Sequence, residues 1–167
     1  MDRNPGPACS GTGGRHGPEY AAKLPSRNWL VTPHQDLSIP VAERNAYAPC
    51  KAWSKKSGTW FCQPPADLLG QLIAVRIHLD DNTAANGPLR IVPGSHRLGR
   101  IASRDIPTHR RRLGEVACIA PRRSLLAMRP LVLHASSRGS SNEPRRVLHI
   151  VFGPAKLPWG LRWKHAF

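Results

Sequence analysis

Leu72-Ile73-Ala74-Val75-Arg76-Ile77-His78-Leu79 is an apolar-rich run that stops at Asp80-Asp81, and Asn86-Gly87 stands just before the next run, Pro88-Leu89-Arg90-Ile91-Val92. A run of this length bounded by turn residues reads as a strand, and Asn-Gly signals a tight reversal. The two runs give strands over 71–79 and 88–92. Working outward, similar patterns predict strands over 34–41, 115–120, 124–128, 131–135 and 145–152. Helical periodicity is almost absent. Pro64-Pro65-Ala66-Asp67-Leu68-Leu69-Gly70 allows about one helical turn, with proline at its start and glycine at its end. Short strands at this spacing predict a mainly β fold, a two-sheet antiparallel barrel of jelly-roll type. Residues 1–27 carry glycine, proline and serine without periodicity and are expected to be loosely ordered, leaving a single domain over 28–167.

Composition bounds the function more loosely. A chain of 167 residues with 40% hydrophobic content is one globular domain able to bury a core. No apolar run approaches the roughly 20 residues that span a membrane. Met1-Asp2-Arg3-Asn4-Pro5 has no apolar signal core, so a cytoplasmic protein is expected. Cys9, Cys50, Cys62 and Cys118 form no Cys-x-x-Cys unit and read as reduced thiols, neither a zinc site nor a disulfide frame. The formal charge of +15, from 25 basic against 10 acidic residues, would attract phosphate. The basic residues are scattered, however, and Arg110-Arg111-Arg112 falls in what reads as a loop. No nucleic-acid motif or interleaved aromatic platform accompanies them. A solvated basic surface is therefore favoured over nucleic-acid binding, and an anionic substrate stays open.

Chemistry concentrates elsewhere. Thr32-Pro33-His34-Gln35-Asp36-Leu37-Ser38-Ile39 reads as a strand that starts after a proline. Residues two apart on a strand share a side, so His34 and Asp36 can meet one ion while Gln35 points away. His134 ends the apolar run 125–133, and Arg145 opens the strand 145–152 after a small, polar loop. Two imidazoles and one carboxylate are the set that holds a non-haem ferrous iron on one face. A guanidinium at the same barrel mouth suits the far carboxylate of a 2-oxo acid.

Four blocks in order carry a specific resemblance. They are His34-Gln35-Asp36; Arg76-Ile77-His78-Leu79-Asp80-Asp81; Asn86-Gly87-Pro88-Leu89-Arg90-Ile91-Val92-Pro93-Gly94-Ser95-His96; and Met128 through Ser137, ending in Arg145-Arg146-Val147-Leu148-His149. Over roughly residues 28–163 the chain resembles the phytanoyl-CoA dioxygenase family of iron(II)- and 2-oxoglutarate-dependent oxygenases. The resemblance implies a double-stranded β-helix (jelly-roll, cupin-like) barrel, here shortened at its N-terminus. It implies iron(II) on His34, Asp36 and His134, with 2-oxoglutarate and molecular oxygen as co-substrates and hydroxylation of a small organic substrate. The 2-oxoglutarate arginine stands eleven residues after the second histidine in the family, which selects Arg145 over Arg146. Ser136 resembles a further co-substrate contact. The carboxylate at Asp36 argues against halogenation, because halogenating relatives carry a small residue there.

Several positions keep two readings. Arg76 stands where relatives carry an aromatic residue facing the co-substrate. It is expected to bind a carboxylate of 2-oxoglutarate or substrate, or to pair with an acid such as Asp80. His78, His96 and His149 read as ordinary structural histidines outside the metal shell, His149 near it. Trp53, Trp60, Trp159 and Trp163 pack the core or line a channel. Only 33 residues precede His34, relatives carry Gly-Asp where this chain has Pro121-Arg122-Arg123-Ser124, and no lysine or tyrosine stands out as a further 2-oxoglutarate partner. A catalytically lapsed barrel of the same family is the alternative, with a basic nucleic-acid-associated protein behind it.

Overall fold

In a computed structural model, which describes residues 19–23 (backbone) and 28–164, the apolar-rich run at the chain's centre is a strand with an inverted pattern of burial. In β6 (Ile73–His78) the inward residues are Ala74, Arg76 and His78, while Ile73, Val75 and Ile77 face outward. Strand alternation gives β11 (Arg145–Phe152) the same character, with Arg145, Val147 and His149 buried. The two strands pair antiparallel, with His149 opposite Arg76 and Val147 opposite His78.

They form the centre of a four-stranded sheet ordered β1-β11-β6-β9, with β1 (Glu19–Lys23) and β9 (Leu125–Met128) at its edges. A second four-stranded sheet runs β2-β10-β7-β8, from β2 (Val31–His34), β10 (His134–Ser136), β7 (Leu89–Ile91) and β8 (Val116–Ala117). Every pairing is antiparallel, and the two sheets make the jelly-roll barrel. A third sheet, β3-β5-β4, joins β3 (Ile39–Val41) to the hairpin of β4 (Lys51–Lys56) and β5 (Thr59–Gln63). Ser57 and Gly58 turn that hairpin with positive φ at both positions, the geometry that matches the twist of paired strands.

The main apolar core lies at this third sheet. Ile39, Val41, Cys62, Leu68, Leu69, Leu72 and Trp163 are buried together, with the short helix α1 (Ala66–Leu69) as one wall. A smaller cluster of Ala74, Leu89, Met128 and Val132 lies inside the barrel.

The structure shortens several predicted strands. The stretch 34–41 is broken into β2 and β3. The strand expected over 131–135 begins only at His134, because Arg129–Val132 forms a turn closed by the Val132 amide on the Arg129 carbonyl. Arg110-Arg111-Arg112 lies on a helix, α2 (Ile106–Leu113), where Pro107 opens the first turn and the arginines complement the negative C-terminal end. No residue of α2 is buried, so no apolar stripe marked it in the sequence. Within the segment 1–27, Glu19–Lys23 pairs with β11, whereas 1–18 and 24–27, and Cys9 with them, lie outside the described residues. Among the described residues no helix is long and apolar enough to cross a membrane.

Candidate metal centre

His34 and His134 are register partners across β2 and β10, and their rings lie 4.3 Å apart at a tilt of 53°. Each ring is fixed in the same way. His34 Nδ1 lies 2.8 Å from the Thr32 carbonyl oxygen, and His134 Nδ1 lies 2.9 Å from that of Val132. A carbonyl can only accept, so each Nδ1 carries the proton and each Nε2 keeps its lone pair. That tautomer is the one a metal needs, since the second nitrogen's hydrogen bond orients the ligating one. Both Nε2 atoms face the Asp36 carboxylate, His34 at 3.6 Å from one oxygen and His134 at 3.6 Å from the other. The three ligand atoms lie within 4.8 Å of one another.

Asp36 reaches this point by a route the strand reading did not foresee. β2 ends at His34, so ladder alternation does not place the carboxylate. The Asp36 amide donates to the Pro130 carbonyl (3.0 Å). The buried Gln35 side chain turns the other way: it donates to the carbonyls of Leu131 and Gly99 and accepts from the Ile101 amide. One glutamine thus ties its own segment to two others, at 99–101 and at Leu131, and fixes the direction of its neighbour. Ser95 adds a further brace, accepting from the Leu133 amide just before His134.

Burial opposes the charge on Asp36, but the imidazoles of His134, His34 and His149 outweigh it and hold the carboxyl well below its ordinary range. Burial also lowers His134, and with the fields of His34 and Arg76 it prevails over the attraction of Asp36. His34 is more exposed, and there the Asp36 contact wins against burial and raises it.

Behind the trio lies the inverted face of β6 and β11. Arg76, His78, Arg145 and His149 are all buried there. Burial and the Arg76 guanidinium push His149 down to about 4, and the same two causes bring Arg145 to about 10. His78 is lowered by burial and by both guanidinium groups. Several buried nitrogens on this face have no hydrogen-bond partner: both ring nitrogens of His78, Nε2 of His149 and Nε of Arg145. Buried polar atoms are rarely left so, and each points to a group the protein alone does not provide.

The structure thus brings His34, Asp36 and His134 together, with Arg145 and Arg76 on the buried face behind them. Ser136 is buried two residues beyond His134 on β10. The pairing of Arg76 with Asp80 is corrected: Asp80 takes Arg146 instead, through its backbone and its guanidinium at 2.7–2.9 Å. Arg146 faces outward and Arg145 inward, as alternation requires. Trp163 belongs to the core and Trp159 is 41% exposed. His78 and His149 read as ordinary histidines, yet neither is a satisfied core residue. Alternation with Arg76 and Arg145 was the signal that could have set them apart. Cys50 and Cys62 are free thiols whose sulfurs lie 3.2 Å apart.

A family model described as Phytanoyl-CoA dioxygenase (PhyH) matches residues 15–147. No curated protein matches the chain. Among solved structures, the non-heme alpha ketoglutarate dependent epimerase SnoN from nogalamycin biosynthesis is 18% identical, at a TM-score of 0.58 over 84% of this chain and 47% of that one. EvdMO1 is 23% identical, at 0.56 over 82% and 26%. AviO1 from Streptomyces viridochromogenes Tue57 is 18% identical, at 0.55 over 83% and 50%. At these identities the likeness is one of fold. The chain spans between a quarter and a half of the length of these structures.

Proposed function

Because the chain belongs to the phytanoyl-CoA dioxygenase family, we propose that it is an iron(II)- and 2-oxoglutarate-dependent oxygenase that hydroxylates a small organic substrate. The observation that carries this reading is the pair of imidazoles each locked by the backbone carbonyl two residues before it, with both free nitrogens turned on one carboxylate. Two nitrogens and one oxygen on one side are the donor set of a non-haem ferrous centre, and the orphaned buried nitrogens behind them suit an anionic co-substrate. His34, Asp36 and His134 would hold the iron, and Arg145 would take the far carboxylate of 2-oxoglutarate, with Ser136 and Arg76 at its flank. Held there, the metal would supply oxygen activation coupled to decarboxylation of the 2-oxo acid.

The chain's own contribution is orientation and charge. The Nδ1 hydrogen bonds hold both rings in the ligating tautomer, and Gln35 and Pro130 hold Asp36. The guanidinium groups favour a dianion, and the buried face excludes water from it. SnoN is an epimerase, so the fold by itself does not choose the outcome. Asp36 argues against halogenation only, and hydroxylation is the reading taken from the family the chain belongs to.

The test is succinate release from 2-oxoglutarate under air with ferrous iron. Iron-dependent succinate that falls to background in His134→Ala and Asp36→Ala is expected. Iron binding with no succinate in the unaltered protein would identify a catalytically lapsed barrel.

A further inference from the structure

His78 is a buried imidazole that iron ligation does not use. It is 1% exposed, and neither ring nitrogen has a hydrogen-bond partner. Its place on the sheet is informative. His78 is the register partner of Val147, and Arg145 stands two residues from Val147 on the same buried side of β11. Diagonal neighbours in an antiparallel pair lie roughly 7–8 Å apart at Cα, close enough for long side chains to share one bound group. The Arg145 guanidinium also has an unpartnered nitrogen.

The face has an order along the strands. His149 and Arg76 are register partners, and His149 feels the charges of Asp36 and His134, so this level adjoins the metal trio. His78 lies one inward position further along β6 and feels Arg76 and Arg145 instead. A diacid held by its 2-oxo carboxylate at the metal end would therefore extend its other carboxylate toward His78 and Arg145. Asp80, the acid nearest His78 in sequence, is engaged with Arg146. Between two guanidinium groups His78 is neutral, with one N–H to donate. A carboxylate accepts that hydrogen, whereas an ammonium group could not.

We infer that His78 is a binding residue for the distal carboxylate of 2-oxoglutarate, donating a ring N–H to it beside Arg145. It supplies the further co-substrate partner that no lysine or tyrosine of the chain was seen to provide. The inference rests on the proposed oxygenase reading.

The experiment is an anaerobic titration of the iron-loaded full chain, following the weak visible charge-transfer band of a chelated 2-oxo acid. Two probes are compared: 2-oxoglutarate, and 2-oxobutanoate, which has no distal carboxylate. His78→Leu is expected to weaken 2-oxoglutarate at least tenfold while leaving 2-oxobutanoate within twofold and iron affinity unchanged. His78→Gln keeps an N–H donor, is expected to recover part of the loss, and serves if the leucine variant folds poorly. Unchanged 2-oxoglutarate affinity in both variants overturns the role of His78, as does equal weakening of the two acids. The absence of any band in the unaltered protein, with iron bound, overturns the oxygenase reading itself and the inference with it.

Discussion

Two regions of the molecule are buried by opposite means. At the third sheet, Ile39, Val41, Leu68, Leu69, Leu72 and Trp163 exclude water as hydrocarbon. Inside the barrel, β6 and β11 bury two arginines and two histidines while turning Ile73, Leu148, Ile150 and Phe152 outward. The first arrangement stabilises the fold through area removed from water. The second gives stability away, because buried cations and unpartnered nitrogens are costly until an anion meets them. Stability and the proposed chemistry thus fall to different residues, and substitutions should separate them.

The largest separation is expected from Leu69→Ala, which removes a fully buried side chain beside Leu72 and Trp163. A loss of about 2–5 kcal/mol is expected in urea unfolding, against no loss or a small gain for His149→Leu in the metal-free protein. Equal losses would erase the distinction.

Acid titration sharpens it. His149 titrates near 4 when folded and near 6.5 when unfolded. Between those values the unfolded chain binds the extra proton, so stability falls as the pH drops through that window, by up to about 1.4 kcal/mol per unit. Above 6.5 this loss is absent. His149→Leu should flatten the slope in metal-free protein followed by urea unfolding at several pH values. A slope unchanged in the variant would move the titration elsewhere.

Gly87 tests a close backbone approach outside both regions. It has φ of +69°, and a Cβ there would collide with the Ser137 carbonyl oxygen in the loop beyond β10. Gly87→Ala should cost about 1–3 kcal/mol in thermal unfolding, and a neutral result would show that this close approach is dispensable. The smallest effect is expected at the surface. Asp80→Ala breaks the outward pair with Arg146 and should cost at most about 1 kcal/mol, lessened by salt.

Most of the barrel was legible because its strands obey a period of two between turn residues, and β11 is bounded as the sequence predicts. The candidate ligands were legible where chemistry forces a residue type, and His34, Asp36 and His134 do converge. What stayed hidden has physical reasons. The hairpin of β4 and β5 carries Lys51, Lys55 and Lys56 on exposed positions, so hydrophobic patterning did not mark it. The break after His34 depends on tertiary bonds of Gln35 and Pro130, which no local pattern records. Alternation in β6 and β11 was plain, but it cannot say which face turns inward. Only the assembled sheets show that the charged face does.

The central claim, that the trio of His34, Asp36 and His134 is a single-iron centre, is tested most directly by anaerobic equilibrium dialysis against ferrous iron. One ion per chain is predicted for the unaltered protein and none above background for His134→Ala, with both proteins folded by circular dichroism. Iron uptake that is absent from the unaltered chain, or equal in the variant, would contradict it.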